Sequence, residues 1–403
     1  MAMALDGILV VDWTVWNVGA AAATVLADFG AEVIHVEERK HGDPMRGFNQ
    51  LFGMSMELPG GRVPMFEDTD RNKKSISIDL KKPSGMEIMH RLIDKSDVFV
   101  TNYRVEAATR LGLDPETVSK RNSRIIYVQA SGFGPKGSER HKGALEWMGY
   151  ARSGLMTSSG APGMPPIVIT AGAGDRAAAI CGACGILVAL LARERLGVAQ
   201  TVSYSLLGGT IAIAAPSVAT AFLCKRELPK HDRARAHNPL GNYYRCADGR
   251  WIIFNSLEDK HWTRFCQALG LSDLQDNPRF ATSVKRAANK ELLVSLFDKI
   301  FATKTCEEWE KILGQSDLIF THISDISDLA SDPQVLANQY VIDVDHPALG
   351  SVKMPGFPIE LSKTPASWRR CAPELGEHTE EVLLEICGYT WDDIRRFQDE
   401  QVI

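Results

Sequence analysis

Short β-branched runs alternate with helix-like stretches up to Ala130, and that alternation restricts the possible fold more than any other feature of the chain. Gly7 to Trp13 (GILVVDW) reads as a buried strand, Ala20 to Phe29 as a helix of small residues ended by Gly30, and Glu32 to Glu37 (EVIHVE) as a second strand. That is a βαβ unit. Ser75 to Leu80 (SISIDL) follows as a strand, Ser84 to Lys95 as a helix with Ser84 near its N-cap, then Val98 to Thr101 and Arg124 to Ala130 (RIIYVQA) as strands. The pattern predicts an α/β fold with a mostly parallel, doubly wound sheet and ligands outside the strands' carboxyl ends. Those ends are Asp12 to Asn17, Glu37 to Arg46, Asn102 to Arg104 and Ser131 to Gly137.

Beyond the sheet, Asp175 to Arg195 reads as a long helix of small and apolar residues. Thr201 to Cys224 carries no charge, which raises the question of a membrane span. Its glycines, Ser217, Thr220 and Pro216 argue instead for a helix buried in a large protein. Lys225 to His237 is basic and linker-like, Gly241 to Asn255 reads as a hairpin turning at Asp248-Gly249, and helices are expected at Lys260 to Leu269 and Lys290 to Phe301. Helices at Thr379 to Ile386 and Trp391 to Asp399 close the chain. The expected division is a large domain over residues 1–225, a smaller one over 226–325, and a return to the large domain over 326–403.

With 45 Lys+Arg against 50 Asp+Glu, the net charge of −5 gives no general attraction to nucleic acid or anionic lipid. An anionic ligand must therefore meet a local basic site. The 8 cysteines are dilute in 403 residues and the N-terminus lacks the basic-then-apolar order of a secretory signal, so a reducing cytoplasm is expected. Cys181 and Cys184 form a C-x-x-C without a second pair at zinc-site spacing, and read as small core residues of a helix.

A βαβ start with Glu37 closing its second strand suggests a ribose-holding carboxylate and a dinucleotide site. TVWNVGAAAA, however, has one glycine where the pyrophosphate fingerprint needs three, and no phosphate-binding P-loop is present. Asp175 is more informative. It stands in AGAGDRAAA at the start of a nearly uncharged helix, where terminal amides and the helix dipole favour an ionised carboxylate and small neighbours admit a large substrate. The ordinary alternative is an N-cap.

LDGILVVDWT, LADFGAEVIHVEERKHGDPMRG, DRNKKSISIDLK, VFVTNYRVEAATRLGL, GAGDRAAAICGACGILVALLARERLGVAQTVSYSLLG and LGEHTEEVLLEICGYTWDDI occur in that order. Together they resemble the class III CoA-transferase family, which includes formyl-CoA and carnitine CoA-transferases. The resemblance implies that Asp175 is the catalytic nucleophile. It also implies a Rossmann-like large domain built from both chain ends, a smaller α+β domain between them, and an interlocked dimer. In the implied mechanism Asp175 attacks a donor thioester, the released thiolate converts the mixed anhydride into an aspartyl-CoA thioester, and an acceptor carboxylate repeats the exchange. Acyl-CoA is a substrate in that scheme, and no metal or tightly bound cofactor is implied.

The resemblance places CoA contacts at Asn17 and Val18, at Lys73, Lys74 and Ser75, at Asn102, Tyr103 and Arg104, and at Arg110. Arg39 and Lys142 are further cations for the CoA phosphates, although a solvated surface charge is the ordinary reading of any single Arg or Lys. Glu146 matches an acidic active-site residue of formyl-CoA transferases, with a solvated or N-cap carboxylate as its alternative. The chain departs from the family at Asn17-Val18-Gly19-Ala20 and at Gly197-Val198-Ala199-Gln200, and the glycine-rich loop over small acyl groups is not visible. Trp16 and Trp147 near the expected pocket suggest a bulkier acid, aryl-substituted or branched, although core packing explains aromatic residues as often.

On these features the chain resembles the benzylsuccinate CoA-transferase branch, with succinyl-CoA as donor and 2-benzylsuccinate as acceptor. Two readings compete. The related α-methylacyl-CoA racemases carry a His in a G-H-D-x-N-Y block, whereas the matching stretch here is Gly143 to Met148, with His141 on the wrong side of Gly143. A catalytically silent CoA-binding subunit of a hetero-oligomer is the other. The expected partners are acyl-CoA, a carboxylic acid, and a second copy or a paralogous subunit, with neither nucleic acid nor membrane.

Overall fold

The computed structural model describes residues 2–403. Its central sheet comprises β1 (Leu9–Trp13), β2 (Glu32–Glu38), β3 (Lys73–Ile78), β4 (Val98–Thr101), β5 (Ile126–Ser131) and β6 (Thr201–Ser205). All run parallel in the order β3-β2-β1-β4-β5-β6. The winding reverses between β1 and β4, so the loops leaving their carboxyl ends diverge and open a crevice.

Both faces of the sheet are covered. Val10 packs with Ala22, Leu26, Val33, Val128 and Ile186 on one side, and Val11 with Ile34, Ile76, Phe99, Ile88 and Leu92 on the other. Helices α1 (Val18–Asp28) and α2 (Pro83–Lys95) contribute to opposite layers. Farther along come α3 (Glu146–Arg152), α4 (Ala173–Leu196), α5 (Leu206–Ile213) and α6 (Ala215–Cys224). Close approach explains the small residues. A Cβ at Gly182 of α4 would lie 2.6 Å from the Tyr204 ring, and one at Gly209 of α5 would lie 2.5 Å from Ala178 Cα.

The chain divides into two compact units. One comprises the chain up to Thr157, Val168–Glu227 and Pro333–Ile403, and in it Val382, Leu383, Phe397 and Val402 join the same core as β1 to β4. The other comprises Ser158–Ile167 and Leu228–Asp332. It has an antiparallel three-stranded sheet of β7 (Tyr243–Arg245), β8 (Trp251–Phe254) and β9 (Phe320–Ile323), with β8 central. Tyr244, Phe254, Phe265, Phe297, Phe301 and Trp309 fill its core.

Two sequence expectations are corrected. Thr201 to Cys224 is not one buried helix: strand β6 comes first, then α5 and α6, bent by 74° at Ala214, and α6 contains no buried residue. Uncharged composition alone could not distinguish these. Cys181 and Cys184 are exposed rather than core residues, because that face of α4, with Ile180, Leu187, Val188 and Leu191, is uncovered within the chain. Helix α2 begins at Pro83 with Lys82 as its N-cap, which leaves Ser84 in the first turn, near the cap as expected. Among the described residues α4 is also long and apolar enough to cross a membrane by length and composition, yet α1, α5 and β6 pack along it.

Candidate active site

Helix α4 starts from Gly172, whose φ of 85° is left-handed and available to glycine without strain. Asp175 is the third residue of the helix, where its side chain would be free to cap only weakly, and the cap is in fact supplied from elsewhere. Glu146, the first residue of α3 and 9% exposed, accepts hydrogen bonds from Gly172 N (2.9 Å), Gly174 N (2.7 Å) and Asp175 N (3.4 Å). The Tyr150 hydroxyl donates to the same carboxylate at 2.9 Å. The N-cap alternative therefore belongs to Glu146, not to Asp175. Gly174 makes the arrangement possible, since a Cβ there would crowd Glu146 Cγ and the Tyr150 ring at 3.1 Å.

The Asp175 carboxylate has no hydrogen bond or ion pair among the described residues, and the neighbouring Arg176 guanidinium is held by Asp68. Burial, and then the negative charge of Glu146, push the Asp175 carboxyl up to about 7. The helix dipole was expected to keep it ionised. That contribution is only about 0.3–1 kcal/mol, whereas each pKa unit represents about 1.4 kcal/mol, so desolvation and like charge win. Near neutral pH a carboxyl so placed is divided between its ionised and neutral forms.

A cleft of about 470 Å³ opens where the sheet reverses. Trp16, Val18, Asn102, Tyr103, Arg104 and Lys142 line it. His141 and Lys142 at its mouth are engaged by Glu106 and Glu139, while Arg104 and Arg140 have no carboxylate within ion-pair distance among the described residues. Arg140 was not foreseen, nor was Gln129, whose buried Oε1 has no partner among the described residues. A glutamine inside a mostly apolar strand was the only available signal. Asn17 lines an adjoining hollow of about 630 Å³ with Gly172, Ala173 and Arg176. Asp175 is among the lining residues of neither.

A model of CoA-transferase family III matches residues 5–379. The chain belongs to that family. It is 33% identical over 404 residues to a succinyl-CoA–D-citramalate CoA-transferase of Chloroflexus aurantiacus, covering 99% of this chain and 98% of that protein. An (R)-2-hydroxy-4-methylpentanoate CoA-transferase of Clostridioides difficile is 30% identical over 405 residues, with 100% of both chains covered. A crystal structure of a CAIB/BAIF family protein from Brucella suis has the same fold, with a TM-score of 0.85 at 24% identity over 96% of this chain and 100% of that one.

In this family III CoA-transferase several expected CoA contacts lie away from the cleft. Lys73 is completely buried, its ammonium donating to Asp12 (2.8 Å), Asp70 (3.0 Å) and the Ala20 carbonyl (3.0 Å), so it is a structural cation rather than a phosphate ligand. Ser75 is buried with its hydroxyl on Glu37 (2.6 Å), and Lys74 pairs with Glu32 and Glu381. Arg39 donates to the Ile403 carbonyl, and Arg110 ends a short exposed helix. Trp147 stacks on Phe52 with ring centroids 5.9 Å apart. Sequence cannot show which way a strand residue faces when the strand is buried on both sides.

Glu37 is likewise committed, as both its oxygens accept from Arg46 at 2.7 Å. It is no ribose ligand. Asp12, His35 and Asp70 bring potential ligand atoms within 4.8 Å of one another, but the Lys73 ammonium already supplies the cation that buried carboxylates require. His35 Nδ1 lies 2.8 Å from Asp70. Burial alone would lower its pKa, yet the carboxylates of Asp70 and Glu37 hold it at about 10.

Proposed function

We propose that this CoA-transferase moves CoA from an acyl-CoA donor to a free carboxylic acid through covalent intermediates on Asp175. The observation that carries the reading is the Asp175 carboxylate left without a partner while Glu146 takes the amides that would otherwise bind it. An Asp175 oxygen attacks the thioester carbon, and the C–S bond breaks to give a mixed anhydride and CoA thiolate. The thiolate attacks the aspartyl carbonyl, releasing the donor acid and leaving an aspartyl-CoA thioester. The acceptor carboxylate attacks that thioester, and the expelled thiolate then takes the acceptor's acyl carbon, regenerating Asp175. No proton moves in any step, so the protein needs to hold the partners and exclude water.

Arg104 and Arg140 supply unpaired positive charge for CoA phosphates, with Trp16, Val18, Asn17, Asn102 and Tyr103 beside them. Trp16 suits a bulky apolar acyl group such as a branched or aryl-substituted acid, 2-benzylsuccinate among them. Names of the two relatives support succinyl-CoA as donor and a branched acceptor. The uncovered apolar faces of α4, α5 and α6 favour an interlocked dimer with a second copy or a paralogue. A cytoplasmic location fits the dilute, unpaired cysteines.

The test is a panel of acyl-CoA donors and free acids incubated with wild type and Asp175→Ala, with exchange followed by mass spectrometry. Loss of exchange in the variant is expected, and undiminished exchange would remove Asp175 from the mechanism. Deuterium entering the α-carbon without transfer would point to a racemase instead.

A further inference from the structure

The loop between β1 and α1 carries Trp16, Asn17 and Val18 to the two hollows, and its backbone is unusual. Trp16 has a φ of 62°, a left-handed conformation that a bulky aromatic residue rarely adopts. Such a geometry persists only where the surroundings impose it. The Asn102 side chain bridges Val15, accepting from its N–H at 3.0 Å and donating to its carbonyl at 2.5 Å. The Trp16 N–H donates to both oxygens of Asp43, at 3.1 Å each.

Asp43 is itself immobilised. Its carboxylate accepts from Met45 N at 2.7 Å, its own N–H donates to Glu37 at 2.9 Å, and Gly42 before it uses a φ of 67° in a space where a Cβ would meet Glu37 at 2.8 Å. We propose that Asp43 is a positioning residue for CoA transfer, its buried carboxylate clamping the strained Trp16 backbone so that Trp16 and Val18 face the cleft and Asn17 faces the start of α4. This role rests on the CoA-transfer reading. It assigns to the GDPMRG turn a function other than direct contact with substrate.

The groups facing Asp43 are His35 and Glu37 from β2, Asp70 beyond Phe66, Tyr103 after β4, and Arg46 on its own turn. His35 Nε2 is 3.7 Å away. Burial pushes the Asp43 carboxyl up to about 6, against the lowering effect of His35 and of the Met45 and Trp16 amides. Because those amides lower its pKa, releasing the loop while Asp43 stays buried raises it. By linkage, protonation through pH 6 favours the released loop.

Amide hydrogen exchange by mass spectrometry over the Trp13–Ala20 peptide tests this in the full-length protein, alongside steady-state CoA exchange from pH 5 to 8. In wild type, protection of this peptide, corrected for intrinsic exchange, is expected to fall at least tenfold between pH 7.5 and 5 while that of β5 holds. Asp43→Asn, which offers Trp16 only a neutral acceptor and cannot ionise, should show protection that no longer changes with pH and lies near the wild-type value at pH 5. Asp43→Ala should lose the protection and raise KM for the acyl-CoA donor at least tenfold more than it lowers kcat. Should Asp43→Ala not fold, the wild-type and Asp43→Asn profiles decide. Protection in wild type that ignores pH, or an Asp43→Ala enzyme with a loosened loop and an unchanged KM, would overturn the proposal. Protection behaving as expected in a protein that exchanges no CoA would support the clamp and count against the transfer reading instead.

Discussion

Two groups of buried carboxylates lie in the larger unit, and the chain treats them oppositely. Asp12 and Asp70 share the Lys73 ammonium, Asp70 also pairs with the His35 ring, and Lys73 and His35 hold Asp70 far below the usual carboxylate range despite its burial. Asp175 and Glu146 have no cation paired with them among the described residues, and burial with like charge raises Asp175 to about 7. Compensated charge at the first site fixes β1, β2 and β3 to one another. Uncompensated charge at the second is the pattern expected of a functional group rather than a structural one, and it is what the proposed role of Asp175 draws on.

The sharpest break between the sites comes from removing one group at each. Asp175→Ala is expected to lower CoA exchange by on the order of 10³-fold or more, without loss of stability at pH 8. The sign follows from the raised pKa: ionised Asp175 is disfavoured in the folded state, so stability it contributes below pH 4 is lost as pH rises through 7, and its removal costs nothing above that. Urea denaturation of the variant beside wild type checks this. Lys73→Met should do the reverse, costing about 3–5 kcal/mol in the same titration because Asp12 and Asp70 would be buried without their cation. If Lys73→Met raises only the KM for CoA with normal stability, the lysine is a ligand after all.

Smaller effects refine the contrast. Arg104→Ala should raise the KM for acyl-CoA by roughly tenfold, with most of the difference vanishing at high salt, since the cleft mouth is solvent-exposed. Measuring KM at two ionic strengths separates this from a packing defect. Glu146→Gln removes the like charge while leaving an oxygen to cap α4. The acid limb of the pH–activity profile should therefore move down by less than about one unit, and stability should fall by about 1 kcal/mol. An acid limb moving upward would show that Glu146 stabilises the ionised nucleophile rather than opposing it.

Five of the six strands of the sheet were legible, since runs such as β4 and β5 are β-branched and buried on both faces, whereas β6 was hidden in the uncharged stretch read as a helix. Asp175 was legible as a lone carboxylate among small residues, and the loop segments Trp16–Val18 and Asn102–Arg104 as the ends of adjacent strands. What could not be read was nonlocal. The cap of α4 comes from Glu146, 29 positions before Asp175. Lys73 looks like any basic residue of DRNKKS until the sheet turns it inward, and Arg140 reaches the cleft from a loop with no periodic signal.

Covalency at Asp175 is the claim on which the contrast turns, and it can be examined directly. Wild type incubated with acyl-CoA, quenched in acid and digested should yield the Asp175 peptide heavier by one CoA less a water, and hydroxylamine should convert that adduct to a hydroxamate at the same residue. An enzyme that exchanges CoA while the Asp175 peptide stays unmodified, or that carries the adduct on another side chain, would contradict the account.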